Sequence, residues 1–232
     1  MMHELLCRGL EELQLDPAKA ETLERFAREL LEKNKVMNLT AITEPAAVVQ
    51  LHLLDSAVLL RYMDFTGKKV VDVGTGAGFP GVPLKILGPA FDLTLLDSLG
   101  KRISWLQEVC GRLALPQVEC VHARAEEFAA HHRETYDIAV SRAVAPLNIL
   151  AELCLPLVKT DGWFLAMKSV ESDAEIEEAK HAIKILGGRI AEVADYPIPT
   201  SEVKHRLVLI EKISPAPGKY PRAFAKIKKQ PL

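Results

Sequence analysis

The stretch that decides the fold of this chain is KKVVDVGTGAGFPGVPL, from Lys68 to Leu84. It begins as an apolar run, continues through an acid, and then carries four glycines within eight residues: Gly74, Gly76, Gly78 and Gly81. A glycine-rich turn that follows a strand brings backbone close to a ligand, and nucleotides are often bound in this way. The sequence therefore predicts a nucleotide site directly after a strand.

Beyond Lys68, short β-rich runs alternate with helical segments. The strand runs are VVDV, DLTLLD, VECVHA, DIAVSRA and GWFLAMK, and the later runs GRIAEVADYPI and HRLVLIEKI are close enough to pair antiparallel at one edge. This alternation predicts parallel βαβ units, hence a doubly wound, Rossmann-like α/β sheet. We expect a helical extension over residues 1–64 packed on the core, a catalytic domain over 65–213, and a basic tail over 214–232.

Composition limits the class of protein. With 232 residues and 49% hydrophobic content, the chain can bury one core. No long uncharged apolar run is present, and the N-terminus carries acids where a secretory signal would be basic. The four cysteines lack metal or disulfide spacing. We therefore expect a soluble cytoplasmic protein with reduced thiols, without a metal site and without a membrane partner.

The C-terminal eighteen residues, PAPGKYPRAFAKIKKQPL, differ in charge from the rest of the chain. The net charge of the whole chain is −2, yet this segment holds no acid and five basic residues: Lys219, Arg222, Lys226, Lys228 and Lys229. Such asymmetry suggests a polyanionic partner at the basic end. The alternative is a solvated, disordered tail.

The glycine turn itself limits which nucleotide it can hold. Read from Gly76 it satisfies the dinucleotide fingerprint GxGxxG, but the glycine directly off the strand is Gly74, which begins GxGxG instead. The following helix contains Pro80 and Pro83, which have no N–H to offer a pyrophosphate. A ligand that contains adenosine but no phosphate does not depend on these N–H groups, so their absence weakens its binding little. Asp97, at the end of the second strand run, lies near the distance in sequence expected of a ribose-binding acid; the alternative role is capping of the helix SLGKRISWL.

These residues resemble a known family. DVGTGAG and TLLDS are similar to motifs of the class I S-adenosylmethionine-dependent methyltransferases. NLTAIT, HLLDS, DVGTGAGFPGVPL, LLDSLGKR, AEEF, SRAVA, the lysine of MK, HRLVLI and KYPR, in that order, resemble the bacterial ribosomal RNA small-subunit methyltransferase RsmG family, also called glucose-inhibited division protein B. The resemblance implies N7 methylation of a guanine in 16S ribosomal RNA. By this resemblance the cofactor contacts fall on Gly74, Phe79, Ala125, Glu126 and Arg142. We expect Gly76, Gly78 and the ribose-binding acid Asp97 to belong to the same cofactor site.

The predicted target needs no catalytic base. Guanine N7 carries a lone pair and no proton, so alignment and exclusion of water suffice. The chain has SRAVAPL after its fourth strand run, where amino-group methyltransferases commonly place an acid/Asn-Pro-Pro-aromatic motif. It also lacks the Pro-Cys of carbon-5 cytosine enzymes. We expect Arg142 and Lys168 to hold the guanine or a nearby phosphate.

Further residues are expected at the RNA. Arg206 opens the last strand run, where it either reaches the rim of the site or is a solvent-facing charge. Glu126 is either a cofactor contact or an exposed first-turn acid, and Asn38 either contacts RNA or caps a turn. The remaining RNA-binding candidates are Lys33, Lys35, His52 and the five basic residues of the tail, which Tyr220 and Phe224 supplement with stacking faces.

Three rival functions share the same features. An NAD-dependent oxidoreductase shares the fold class and differs in its ligand. A small-molecule or protein methyltransferase fits the overall negative charge, and a non-catalytic RNA-binding factor fits the tail. The expected partner is 16S ribosomal RNA or the small ribosomal subunit, bound by a monomer.

Overall fold

The computed structural model describes residues 1–142 and 145–232. Its centre is a seven-stranded sheet of order β3-β2-β1-β4-β5-β7-β6. Strands β1 to β5 are parallel, and β7 runs antiparallel between β5 and β6. The doubly wound sheet and its antiparallel edge are thus confirmed. The strands are β1 Lys69–Val73, β2 Asp92–Asp97, β3 Val118–His122, β4 Tyr136–Arg142, β5 Val158–Ser169, β6 Gly188–Pro197 and β7 Lys204–Lys212.

Helices cover both faces of this sheet. Before the first strand lie α1 Met2–Glu12, α2 Ala20–Met37, α3 Pro45–Val48 and α4 Asp55–Ala57; a π-helical turn, Val49–Leu54, joins the last two, and a 3-10 turn, Val58–Arg61, follows. The later helices are α5 Gly81–Leu87, α6 Gly100–Arg112, α7 Ala125–His131, α8 Leu147–Cys154, α9 Asp173–Ile185 and α10 Phe224–Lys229.

The N-terminal helices share a hydrophobic core with one face of the sheet. Phe26 of α2 contacts Phe79 at 5.5 Å and Trp105 of α6 at 6.1 Å between ring centroids, and all three rings are buried. A second core, on the opposite face, joins α7, α8 and α9 to the sheet. The extension is therefore packed on the sheet, while the proposed boundaries at residues 64 and 213 stay a prediction.

The C-terminal tail is folded against the second core. Tyr220 and Ile227 are buried there, and Glu152 of α8, which is fully buried, accepts three hydrogen bonds from Arg222. These are a backbone N–H bond of 2.9 Å and guanidinium bonds of 2.8 and 2.6 Å. The alternative of a solvated, disordered tail does not describe this segment.

The sheet order reverses between β1 and β4, which are neighbours although two strands and three helices separate them in sequence. Ligands of open α/β sheets bind at such a point, beyond the carboxyl ends of the strands. The motif SRAVA begins there, and its Ala143 and Val144 lie outside the described residues. No helix in the described part of the chain is long and apolar enough to cross a membrane.

Candidate cofactor and RNA site

A cavity of about 450 Å³ lies beyond the carboxyl ends of β1, β2 and β4. Its volume falls in the range of small-molecule sites. The glycine turn forms one wall, the start of α6 forms another, and the loop after α2 closes the third side. Its lining residues are Leu39, Thr40, His52, Gly74, Thr75, Gly76, Ala77, Phe79, Asp97, Ser98, Leu99, Arg102 and Arg142.

The glycine turn depends on backbone conformations that other residues rarely adopt. Gly74, Gly76 and Gly78 have φ of 72°, 59° and 91°. Gly74 and Gly76 line the cavity, whereas a Cβ on Gly78 would lie 2.8 Å from Val82 and 2.9 Å from Leu106. Gly78 therefore lets the turn pack under the helices, and the other two bring backbone to the cavity.

The start of α5 has no free N–H groups for a phosphate. The N–H of Gly81 donates to the Asp72 carboxylate at 2.9 Å, that of Val82 donates to the Gly78 carbonyl at 2.8 Å, and Pro83 has none. This is the arrangement that the two prolines predict, and it disfavours a pyrophosphate.

Asp72 is a buried acid that the sequence analysis did not single out. Burial raises its pKa to about 7, although hydrogen bonds from Thr75 and Gly81 oppose that shift. One of its carboxylate oxygens has no hydrogen-bond partner among the described residues. The only sequence signal for it was its place two residues before Gly74.

Asp97 ends β2 and connects two walls of the cavity. One carboxylate oxygen accepts the N–H of Leu99 at 2.8 Å, and the other accepts the N–H of Gly76 at 2.9 Å. Its side chain is 4% exposed, with Arg102 at 3.4 Å. The carboxylate thus accepts the N–H of Leu99, which is itself the N-cap residue of α6, and it also faces the cavity. No described side chain caps α6, so the alternative of Asp97 as the helix cap is wrong, and its ribose contact stays a prediction.

Ala125 and Glu126 lie one strand further along the sheet edge. They begin α7, and the loop that leads to them contacts the end of β2 through a bond of 3.2 Å from the Ala123 N–H to the Asp97 carbonyl. Glu126 accepts a bond of 2.7 Å from Arg124. Both residues lie outside the cavity lining, so a ligand would need to extend past Asp97 to meet them.

Arg142, at the end of β4, is held from several sides. Its guanidinium donates to the Leu51 carbonyl at 2.8 Å, to the Asp55 carboxylate at 3.2 Å and to Nδ1 of His52 at 3.0 Å. It also lies 4.9 Å from the centroid of the Phe79 ring. Its position is therefore fixed before any ligand binds.

His52 is a buried, neutral imidazole in the cavity wall. It stacks on Phe79 at 4.6 Å, and its Nε2 lies 2.8 Å from the Thr40 hydroxyl. Burial lowers its pKa to about 4, and the charge of Arg142 adds to that effect. With Nδ1 accepting from Arg142, Nε2–H donates to Thr40, so both ring nitrogens are occupied.

Asp55 is the residue that sequence reasoning undervalued. It is fully buried, and its carboxylate accepts from Arg142, from the Tyr196 hydroxyl at 2.8 Å and from Nδ1 of His205 at 3.0 Å. These partners come from β4, β6 and β7. One carboxylate therefore joins the N-terminal helices to three strands, and its only sequence signal was its place in HLLDS, three residues after His52.

Two other predicted site residues have partners of opposite charge. Lys168 donates to the Ala145 carbonyl at 2.7 Å and pairs with Glu175. Arg206 is 8% exposed, and Asp195 and Asp173 hold its guanidinium at 2.6 and 2.7 Å. Neither a rim contact nor a simple solvent-facing charge fully describes Arg206, and its predicted RNA contact stays a prediction.

The remaining RNA candidates lie on the surface. Lys33 is 3.9 Å from Glu108, Lys35 is 2.7 Å from Glu32, and Asn38 ends α2 in the left-handed conformation at φ 50°. A left-handed residue at the end of a helix is a C-cap, so Asn38 has the capping role. Its side chain is exposed. In the tail, Arg222 turns inward to Glu152, while four lysines are exposed: Lys219, Lys226, Lys228 and Lys229.

Comparison with known proteins identifies the family. The family model described as GidB, rRNA small subunit methyltransferase G, matches residues 19–201. The chain belongs to this family. It is 46% identical over 237 aligned residues to the ribosomal RNA small subunit methyltransferase G of Alkaliphilus oremlandii, and the match covers 100% of this chain and 99% of that protein.

Solved structures show the same fold. A SAM-dependent methyltransferase from Aquifex aeolicus superposes with a TM-score of 0.53 at 20% identity, over 72% of this chain and 93% of that one. M. jannaschii TYW2, determined in complex with AdoMet, superposes with a TM-score of 0.56 at 15% identity, over 69% of this chain and 76% of that one. The protein thus has the fold of S-adenosylmethionine-dependent methyltransferases, and its family is that of the rRNA small subunit methyltransferase G. The described residues contain no cluster of three potential metal ligands.

Proposed function

We propose that this protein transfers a methyl group from S-adenosylmethionine to N7 of a guanine in 16S ribosomal RNA. Family membership supports the RNA substrate, because the full-length relatives carry the name ribosomal RNA small subunit methyltransferase G. One structural observation carries the choice of N7. Among the described residues that line the cavity beside the glycine turn, no side chain is ready to accept a proton at the point where Arg142 and His52 close it.

The cavity residues fit the cofactor. Gly74 and Gly76 let backbone approach its methionine end, Phe79 supplies an apolar surface, and the Asp97 carboxylate accepts from the two ribose hydroxyls. The loop of Ala125 and Glu126 receives the adenine. When bound, S-adenosylmethionine supplies an electrophilic methyl group on a sulfonium.

The chemistry of this wall suits a nucleophile that has no proton to lose. His52 is neutral with its ring nitrogens paired, and Arg142 is a permanent cation. The other titratable residues of the lining, Asp97 and Arg102, lie together on the side of β2 and α6. Guanine N7 attacks with a lone pair, so what the residues must provide is alignment and exclusion of water.

The RNA contacts belong to the same proposal. Arg142 and Lys168 hold the guanine or an adjacent phosphate, while Lys33, Lys35, Asn38, His52 and Arg206 contact neighbouring nucleotides. Four exposed tail lysines and Arg222 neutralise phosphates. The protein acts as a monomer in the cytoplasm, on 16S ribosomal RNA or the small ribosomal subunit, without a metal.

The test is to map methylation in cells. Ribosomal RNA from cells that lack the protein should lose one 7-methylguanosine, and the loss should be visible by mass spectrometry of 16S fragments. Re-expression of the wild-type chain should restore it, while Arg142→Met should not. Loss of a different modified nucleotide, or none, would contradict the proposal. In vitro, S-adenosylmethionine should raise the melting temperature and NAD should not.

A further inference from the structure

A second cavity, of about 530 Å³, adjoins the first. The two share His52 and Arg142, so these side chains form a partition between them. The second cavity opens where β5 ends and β7 begins, at the same carboxyl edge of the sheet. A group placed in it would face whatever occupies the first cavity across this partition.

The second cavity has the composition of a site for a planar base. Most of its accessible lining is apolar, from residues such as Ile42, Leu51, Met167 and Val203. It has few polar groups, and its two cationic side chains already form ion pairs: Arg142 with Asp55 and Lys168 with Glu175. Small-molecule sites combine such apolar walls with a few placed polar atoms that decide specificity.

His205 has one ring nitrogen that forms no hydrogen bond with a described residue. Its Nδ1 lies 3.0 Å from Asp55 Oδ1, an oxygen that only accepts, so a ring with one proton carries that proton on Nδ1. Its Nε2 is then an acceptor, and no described residue forms a hydrogen bond with it. The side chain is 29% exposed and lines the second cavity. Asp55 thereby fixes which nitrogen of His205 is available as an acceptor.

We propose that the second cavity takes the target purine and that Nε2 of His205 accepts a hydrogen bond from its Watson–Crick edge, which selects guanine over adenine. This rests on the proposed function. On that edge guanine has the donors N1–H and the 2-amino group, whereas adenine has the acceptor N1 at the first position and no amino group at the second. The 6-amino donor of adenine lies where guanine has O6, so an acceptor placed at N1 and the 2-position favours guanine. Both purines have an N7, so the reacting atom does not distinguish them. An acceptor on the wall of the second cavity that faces the Watson–Crick edge does distinguish guanine from adenine.

The test replaces His205 by asparagine, whose side-chain amide can still donate to Asp55 in place of Nδ1 but has no atom at the position of Nε2. The matched control is Tyr196→Phe. Tyr196 donates to the same oxygen of Asp55 at 2.8 Å and does not line the cavity, so this variant removes a hydrogen bond to Asp55 and leaves Nε2 intact. Circular dichroism and S-adenosylmethionine affinity establish that each variant is folded.

The readout is kcat/KM for N7 methylation of RNA with guanine or adenine at the target position. His205→Asn should reduce the guanine-to-adenine preference roughly five- to thirty-fold, the effect of one lost hydrogen bond and one relieved acceptor clash. Tyr196→Phe should keep the wild-type preference.

An unchanged preference in His205→Asn, or an equal loss in both variants, would overturn the role of His205 while leaving N7 methylation standing. A wild-type enzyme that places no methyl on N7 of the guanine substrate would overturn both this inference and the proposed function.

Discussion

Replacing Asp97 by alanine tests how the cofactor site is built. The carboxylate accepts N–H groups from Gly76 and Leu99, so it holds the glycine turn against the start of α6. Asp97→Ala removes both bonds and also the proposed acceptor for the ribose hydroxyls. A hydrogen bond to a charged group contributes about 1.5–3 kcal/mol. Loss of the ribose contact alone should therefore raise the Kd for S-adenosylmethionine about 10- to 150-fold.

The free energy of unfolding of the variant should also fall, but by less than the full contribution of two hydrogen bonds. Gly76 and Leu99 both line the cavity, so their freed N–H groups can bond to water. We expect a loss of about 1–3 kcal/mol in the free energy of unfolding, measured by urea titration. Lys101→Ala, in the first turn of α6 and on an exposed residue outside the cavity lining, is the control for both measurements.

Isothermal titration calorimetry at pH 7 gives the Kd of each variant under conditions where it is folded. An Asp97→Ala protein with wild-type affinity would refute the ribose role. A protein with wild-type stability but weak cofactor binding would show that the hydrogen bond to the Gly76 N–H does not hold the turn.

Three further predictions concern the tail and the buried acids. Lys226, Lys228 and Lys229 changed together to glutamine should flatten the salt dependence of RNA binding by at most about two to three in log–log slope, with cofactor affinity unchanged; an identical slope would remove the tail from the RNA interface. Burial raises the folded-state pKa of Asp72 to about 7, so Asp72 contributes stability that is lost as pH rises from about 4 to about 7. Buried His52, whose pKa is lowered to about 4, contributes in the opposite sense over part of this range. The free energy of unfolding of wild type relative to Asp72→Asn, measured by urea titration, should therefore fall across this range, and a difference that does not change with pH would contradict this role of Asp72. Glu152→Gln should lower the unfolding free energy by about 1–3 kcal/mol, since it weakens all three bonds from Arg222, and should expose the tail to limited proteolysis; a tail as resistant as in wild type would contradict its anchoring by Glu152.

Local chemistry made the sheet and the glycine turn predictable. Strand and helix periods fix the βαβ order, positive φ is expected of glycine, and the prolines of α5 remove N–H groups whatever the surroundings. The chemistry near Gly74 and Asp97 therefore followed from short stretches of sequence. The family resemblance carried the choice of substrate.

The Asp55 cluster could not be predicted in this way. The three partners of Asp55 lie 87, 141 and 150 residues after it in sequence, and only the packing of β4, β6 and β7 on the N-terminal helices brings them to it. The folding of the tail against the second core could not be predicted for a similar reason. Its charge pattern is that of a solvated segment, and the buried Glu152 that accepts Arg222 lies on α8, 70 residues earlier. Charge alone does not reveal a partner so distant in sequence.

The central claim, attack by guanine N7 without a base, has a direct test by atomic substitution. RNA with 7-deazaguanosine at the mapped target keeps its Watson–Crick edge and its stacking face but has carbon in place of the attacking nitrogen. We predict that it binds the protein with unchanged affinity and accepts no methyl group in single-turnover assays with labelled S-adenosylmethionine. Methylation of this RNA at the wild-type rate would show that the methyl goes elsewhere, and would contradict the account.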